Sequence, residues 1–157
     1  MRRKAFLRGY RNADLDAMFR LDEDCFAKEF RFDRPSMREF AESPNAVVRI
    51  AQEDRGRIAG FVIAHIEIIA GECAAYVVTL DVGIDWRRAG LGGRLMGDVE
   101  SSLAARGARW IRLHVFTENE PAIRFYEHLR YKPIRVIRGY YGEGLSAIVY
   151  GKELPSE

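Results

Sequence analysis

Arg87-Arg88-Ala89-Gly90-Leu91-Gly92-Gly93 lies between an apolar run ending in Val82 and a helical pattern starting near Leu91, and its reading decides the fold. Three glycines within four residues let the backbone take positive φ and approach a ligand closely. The free amides of the helix start add partial positive charge aimed the same way. A basic, glycine-rich turn of this kind suits an anion, and a diphosphate would fit it. The residues match neither G-x-x-x-x-G-K-S/T nor G-x-G-x-x-G, so the nucleoside triphosphate loop and the dinucleotide fingerprint both fit poorly. Apart from its neighbours the turn would read equally as a tight connection.

Outward from this turn the elements alternate. Lys4 to Gly9 reads as a first strand, and Asn12 offers an N-cap to a helix whose opening turn carries Asp14 and Asp16, with Leu15, Met18 and Phe19 as its apolar stripe. A loop holding Phe26, Phe30 and Phe32 follows, to be read as a hydrophobic anchor or as the flank of a pocket. Ser36 to Glu42 forms a second short helix, closed by Ser43-Pro44. Val47 or Val48 to Gln52 and Ile58 to Ile69 make a hairpin about Asp54-Arg55-Gly56, and Ala74 to Val82 returns as a third antiparallel strand. Leu91, Leu95, Val99 and Leu103 repeat at helical spacing up to a stop at Gly107. Trp110 to Phe116 is then a strand parallel to the one before the helix, because strand, turn, helix and strand make a right-handed crossover. Pro121 opens a helix to about Leu129, and Tyr131 to Arg138 with Ala147 to Lys152 closes the chain as a hairpin. The order is β-α-α-β-β-β-α-β-α-β-β, an α/β (α+β) arrangement in which residues 1–157 form one domain.

Composition narrows the function classes. A 48% hydrophobic and 31% charged content is globular, and no apolar run reaches the ~18 residues a bilayer span needs. Arg8, Arg11, Asp14 and Asp16 interrupt the chain before any apolar core follows Met1-Arg2-Arg3-Lys4, so no export signal is expected. A net charge of +2 gives no footing for nucleic acid. Cys25 and Cys73 share no metal or disulfide spacing, so neither a metal site nor a disulfide framework is indicated and a reducing cytoplasm is expected.

The element order, with Arg87-x-x-Gly90-x-Gly92 after the fourth strand, resembles the GNAT superfamily of acyl-CoA-dependent N-acetyltransferases, whose pyrophosphate motif is R/Q-x-x-G-x-G/A. Asn119-Glu120-Pro121-Ala122-Ile123-Arg124-Phe125-Tyr126-Glu127 resembles the family's N-x-x-A-x-x-F/L-Y-E helix. The resemblance implies a mostly antiparallel sheet of about seven strands, with a splay between strands four and five and about four flanking helices. It implies that Arg87, Arg88, Ala89, Gly90, Leu91, Gly92 and Gly93 take the pyrophosphate of acetyl-CoA, while Leu80, Asp81 and Val82 bond the pantetheine arm through their backbone. Asn119, Ala122, Phe125 and Tyr126 fall to the same cofactor, with Tyr126 protonating the departing thiolate. Two positions depart from the pattern: Ile84 stands where many members have proline, and Arg130 where a glycine commonly ends the last helix, which puts that helix cap in doubt.

Within the superfamily, Tyr76-Val77-Val78-Thr79-Leu80 and Leu113-His114-Val115 resemble protein N-terminal acetyltransferases of the NatE catalytic-subunit and ribosomal-protein-alanine types. That implies a catalytic pair of Tyr76 and His114, with Phe26, Ala27, Val78, Tyr140 and Tyr141 about the acceptor. The chemistry asks for a base because only a neutral amine attacks a thioester. An α-amine titrates at about 7.7 to 8.0 and a lysine at about 10.4, so a histidine near 6.5 serves the former better, acting through one water. The Val82 amide would hold the oxyanion. Read by residue type alone, His114 is equally a packed strand histidine, Tyr76 a good strand residue, Tyr126 a half-buried aromatic, and Tyr140-Tyr141 a rim for a small amine. The expected function is acetyl transfer to a peptide or protein N-terminus, by a monomer or homodimer without nucleic acid or membrane. A small-amine acceptor (polyamine, aminoglycoside or amino acid), for which Glu23 and Asp24 are the candidate acidic cluster, and a non-catalytic acyl-CoA-binding domain are the competing readings.

Overall fold

A computed structural model describes residues 4–155. Met1, Arg2 and Arg3, part of the start at which no export signal is expected, lie outside the described residues. The chain runs β1 (Ala5–Gly9), α1 (Leu15–Cys25), α2 (Arg34–Glu42), β2 (Ala46–Glu53), β3 (Ile58–Ile69), β4 (Glu72–Val82), α3 (Leu91–Ala105), β5 (Trp110–Phe116), α4 (Glu120–His128), β6 (Lys132–Gly142) and β7 (Leu145–Glu153). The strands form one seven-stranded sheet in the order β1-β2-β3-β4-β5-β7-β6. Every neighbouring pair is antiparallel except β4 and β5, as the crossover through α3 requires.

Side chains alternate between the two faces of the sheet, so the core divides. On one face Val62, Ala64, Val77 and Leu113 pack with Leu95, Val99 and Tyr126. On the other, Ile50, Phe61 and Ile63 pack with Leu15, Met18 and Met37. Pairing between β4 and β5 covers Ala74, Ala75 and Tyr76 against Trp110, Ile111 and Arg112, and then stops. The cause lies on the other edge of β4. Its register against β3 jumps from Val77 opposite Ala64 to Thr79 opposite Ile63, which leaves Val78 as a bulge. A bulge bends its strand, and β4 turns away from β5 at that residue to open the splay.

Local chemistry corrects several expected element ends. Asn12 does not cap α1: Asn12–Asp14 forms a 3-10 turn and the helix begins at Leu15. Asp14 is buried in a two-pronged pair with Arg8 at 2.8 Å and also accepts the Arg11 amide, so its carboxylate fixes the turn instead of facing solvent at the helix start. The second helix begins at Arg34, ahead of Ser36, because Asp33 accepts the Ser36 amide at 2.8 Å with Pro35 in the first turn. The cap of α4 forms despite its missing glycine. Tyr131 N–H reaches back to the Tyr126 carbonyl and Arg130 N–H to that of Glu127, both at 3.0 Å, with Arg130 held at φ 73. Among the described residues no helix is long and apolar enough to cross a membrane.

Candidate active site

The glycine turn takes its shape from backbone conformation. Gly90 caps α3 at φ 80 and Arg88 sits at φ 64. Helical bonding starts with Arg94 N–H to the Gly90 carbonyl at 3.1 Å, so the first amides of α3 have no acceptor inside the helix. Gly92 is needed for a second reason: a Cβ there would stand 3.1 Å from the Phe125 ring. Phe125 therefore lies beneath the turn and supports it, and is not part of the cleft wall. Arg87 folds back to donate to the Val82 carbonyl at 3.3 Å.

Strand geometry decides which residues of β4 can face the splay. Gly83 N–H bonds the Ala59 carbonyl of β3 at 2.8 Å, and amides alternate along a strand. The amides of Leu80 and Val82 therefore point toward the splay, where β5 no longer pairs with them. Asp81 does not belong with them. Alternation turns its amide toward β3, and its fully buried carboxyl group accepts from Thr79 Oγ1 at 2.5 Å, so Asp81 offers a ligand in the splay neither group.

Helix α4 brings Asn119 and Tyr126 to the same opening. The Asn119 side chain caps α4 by accepting the Ala122 amide at 3.2 Å. Both residues line a cleft of about 860 Å³ together with Ala122, Leu80 and Val78. Tyr126 is only 9% exposed, and burial raises its phenol above the usual range, with Asp81 and then Tyr141 adding to the rise. It stays protonated at any physiological pH.

At the far end of the cleft Tyr76 Oη and His114 Nδ1 lie 2.7 Å apart. Tyr140 stacks flat on His114 with ring centres 4.1 Å apart, and its hydroxyl is 3.4 Å from that of Tyr76. Burial, then the charge of Arg135, lowers the His114 pKa, so the ring is neutral at pH 7. Burial, then the Tyr140 hydrogen bond, raises that of Tyr76, so the phenol keeps its proton. Tyr140 and Tyr141 reach the cleft because β6 leaves its register between Ile137 and Gly142, with Gly139 at φ 66.

The cleft gathers Phe26, Tyr76, Val78, Leu80, His114, Asn119, Ala122, Tyr126, Tyr140 and Tyr141 from the expected site. Ala27 is exposed outside it, and its carbonyl accepts Phe30 N–H at 2.9 Å to start a 3-10 turn. Sequence reasoning missed several of the walls. Phe116, Phe40, His65 and Thr79 line the cleft unforeseen, while Phe30, read as an anchor or a pocket flank, takes the second role and meets Phe116 and Tyr141 with ring centres 4.9 and 4.8 Å away. Phe116 could have been found, since it lies two residues beyond His114 on one strand and so on the same face. Thr79 could not, because only the bulge turns it toward the same side as Val78. Glu23 and Asp24 are exposed on α1 and do not line the cleft. Among the described residues no group of three or more His, Cys, Asp or Glu is placed to hold a metal.

Residues 15–131 match the Acetyltransferase (GNAT) family. Over 107 residues the chain is 33% identical to the N-terminal acetyltransferase A complex catalytic subunit NAA10 of Arabidopsis thaliana, a match that covers 67% of this chain and 56% of that protein. The chain thus spans about half the length of the curated relatives it matches. In three dimensions it is similar to the ribosomal-protein-S18-alanine N-acetyltransferase of Escherichia coli, at TM-score 0.84 and 21% identity over 98% of this chain and 96% of that one. It is also similar to Arabidopsis thaliana Naa50 in complex with the bisubstrate analogue CoA-Ac-MVNAL, at TM-score 0.79 and 24% identity over 94% and 97%. These likenesses establish the fold.

Proposed function

Because the chain belongs to the GNAT acetyltransferase family, we propose that it transfers the acetyl group of acetyl-CoA to the α-amine of a protein or peptide N-terminus, by direct attack in a ternary complex. The observation that carries this reading is the hydrogen bond between Tyr76 and neutral His114 in an aromatic cleft that continues to the β4–β5 splay. A bisubstrate analogue joining CoA to a peptide, carried by the Naa50 structure, supports the choice of a peptide amine.

The residues present fit the donor. The free amides after Gly90 suit a diphosphate, and the Leu80 amide suits an extended amide-bearing arm along the strand, leaving that of Val82 for the thioester oxygen. Acetyl-CoA, when bound, supplies an acetyl group activated as a thioester. The chain's own residues supply proton transfers and charge stabilisation. Tyr76 takes the proton of the acceptor ammonium at its hydroxyl oxygen while passing its own proton to His114 Nδ1, so no phenolate has to form. The freed amine attacks the carbonyl carbon, the Val82 amide stabilises the oxyanion, and Tyr126 gives its proton to the departing thiolate. The two cysteines are free thiols, in keeping with a reducing cytoplasmic setting, and the working unit is a monomer or homodimer.

Turnover of acetyl-CoA against peptides varied at their first two residues, run beside spermidine, aminoglycosides and free amino acids, tests the acceptor. The expected result is that at least one peptide exceeds every small amine in kcat/KM. A small amine ahead of all peptides would overturn the assignment.

A further inference from the structure

Beneath the cleft, on the face of β4 turned to α1, two buried carboxyl groups lie together. Asp22 and Asp81 are both fully buried. One oxygen of each is accounted for: Asp22 Oδ2 accepts the Phe32 amide at 3.1 Å, and Asp81 Oδ1 accepts the Thr79 hydroxyl at 2.5 Å. The other two, Asp22 Oδ1 and Asp81 Oδ2, have no hydrogen-bond partner, and each carboxyl group acts on the other at short range. Two ionised carboxylates buried this way would repel with no donor for their free oxygens, and one shared proton removes the repulsion and supplies the missing donor.

We infer that Asp22 and Asp81 share one proton and that this acid–carboxylate pair is a positioning device, tying the acceptor loop 26–32 to strand β4. The placement gives the pair its reach. The Asp22 carboxylate holds the loop through Phe32 N–H, and the Asp22 carbonyl holds it again through Phe26 N–H at 3.0 Å. Phe26, Phe30 and Phe32 of that loop line the cleft. Asp81 stands between Leu80 and Val82, whose amides face the splay. The pair thus fixes the distance between the surface that takes the acceptor and the strand that takes the donor. This inference rests on the reading of the loop as the acceptor side.

The groups facing the pair are Thr79 of β4, Arg31 of the loop, Glu23 and Cys25 of α1, and Tyr126 of α4. Burial, and then Asp22, hold the Asp81 carboxyl well above the usual carboxylate range, and burial raises Asp22 as well. A raised folded-state pKa means that the proton's contribution to stability is present at low pH and lost as pH rises through the folded value. Loss of the proton sets two charges against each other and pushes the loop off the strand.

Asp22→Asn keeps the acceptor for Phe32 and gives Asp81 a permanent amide donor with the same net charge, but cannot titrate. Wild type should show the infrared carbonyl stretch of a protonated carboxylic acid at neutral pH, and Asp22→Asn should lack it. With acetyl-CoA saturating, the wild-type peptide KM should climb roughly tenfold more than that of Asp22→Asn as pH is raised into the alkaline range, the weight of one buried hydrogen bond. The acceptor amine titrates identically in both, so the difference isolates the pair. Thermal unfolding should likewise drop faster with pH in wild type. No protonated carboxyl band in wild type, or superimposable KM and unfolding profiles, would overturn the inference. A protein that acetylates no peptide removes the function proposed above, and the infrared and unfolding measurements still decide the shared proton.

Discussion

The two halves of the cleft are built from different materials. The half we assign to the donor is main chain: a turn with Gly90 at φ 80, the first amides of α3, and the alternate amides of β4 left free where β5 diverges. The acceptor half is side chain: Tyr76 from β4, His114 and Phe116 from β5, Tyr140 and Tyr141 from β6, and Phe30 from the loop after α1, locked ring against ring. Main-chain recognition needs only that the backbone reach a shape, so a few glycines within one short stretch encode it. A cage of rings from four places in the chain depends on the whole topology. The donor half should therefore tolerate changes that keep backbone shape, whereas the acceptor half should respond to single atoms.

That contrast is sharpest at Tyr126, which touches both halves. Tyr126→Phe keeps the ring and its contacts with Phe125 and Tyr131 but removes the proton that we propose goes to the thiolate. We expect kcat to fall about 100-fold or more, the usual weight of general acid catalysis, with KM for acetyl-CoA little changed. Equal losses in kcat and acetyl-CoA affinity would show Tyr126 to be packing only. His114→Ala should cost roughly 10- to 100-fold in kcat, less than Tyr126→Phe because an α-amine is partly neutral without help. Its pH profile is the more telling readout. Burial and then Arg135 lower the His114 pKa, so the wild-type acid limb of kcat/KM should lie below about 6.5, and in the variant it should move up toward the amine's own range of about 7.7 to 8.0. An unmoved limb would dismiss His114 as the proton acceptor.

The same contrast explains what the sequence could disclose. Helix α3, Leu91–Ala105, was legible as a helix starting near Leu91 and stopping at Gly107, since its apolar positions repeat at helical spacing between a glycine start and a glycine stop. The parallel pairing of β4 with β5 followed from connection rules alone. Asp14 misled because a carboxylate in a first turn usually faces solvent, and nothing local announces that Arg8 of β1 will bury it. Asp81 misled for a similar reason. Its neighbours Leu80 and Val82 face the splay, and only the register against β3 shows that the residue between them faces the other way. Phe30 could be read from sequence as an anchor or as a pocket flank but not assigned to either, because its partners Phe116 and Tyr141 lie far along the chain.

Gly92→Ala tests the donor half by shape alone. The new Cβ would stand 3.1 and 3.2 Å from the Phe125 ring, tighter than ordinary contact, and Phe125 would have to shift under the turn. Overpacking of about 1–3 kcal/mol is expected, appearing as roughly a tenfold rise in KM for acetyl-CoA, with kcat at saturation and KM for the peptide nearly unchanged. A larger effect on the peptide than on the coenzyme would contradict the division into two halves.

The smallest effect belongs to the residue that ends α4. Two helices of this protein finish in the same cap. In α3 the left-handed position is Gly107 at φ 96, with Ala108 N–H reaching back to the Leu103 carbonyl at 3.0 Å. In α4 it is Arg130 at φ 73, with Tyr131 reaching back to Tyr126 at 3.0 Å and their rings 5.6 Å apart. Only the second carries a side chain where a Cβ is crowded. Arg130→Gly should relieve about 1–2 kcal/mol of left-handed strain. It also gives the unfolded chain extra freedom worth about 0.4–1 kcal/mol, so a net gain of about 1 kcal/mol remains. In a chain of 157 residues that is a rise of about 2–4 °C in Tm, read by thermal unfolding. Since the cap already holds Tyr126 through Tyr131, relief of the strain should leave kcat where it is. A stabilised variant with a lower kcat would mean that the strain at Arg130 sets the position of the Tyr126 phenol, which would tie the helix end to the chemistry.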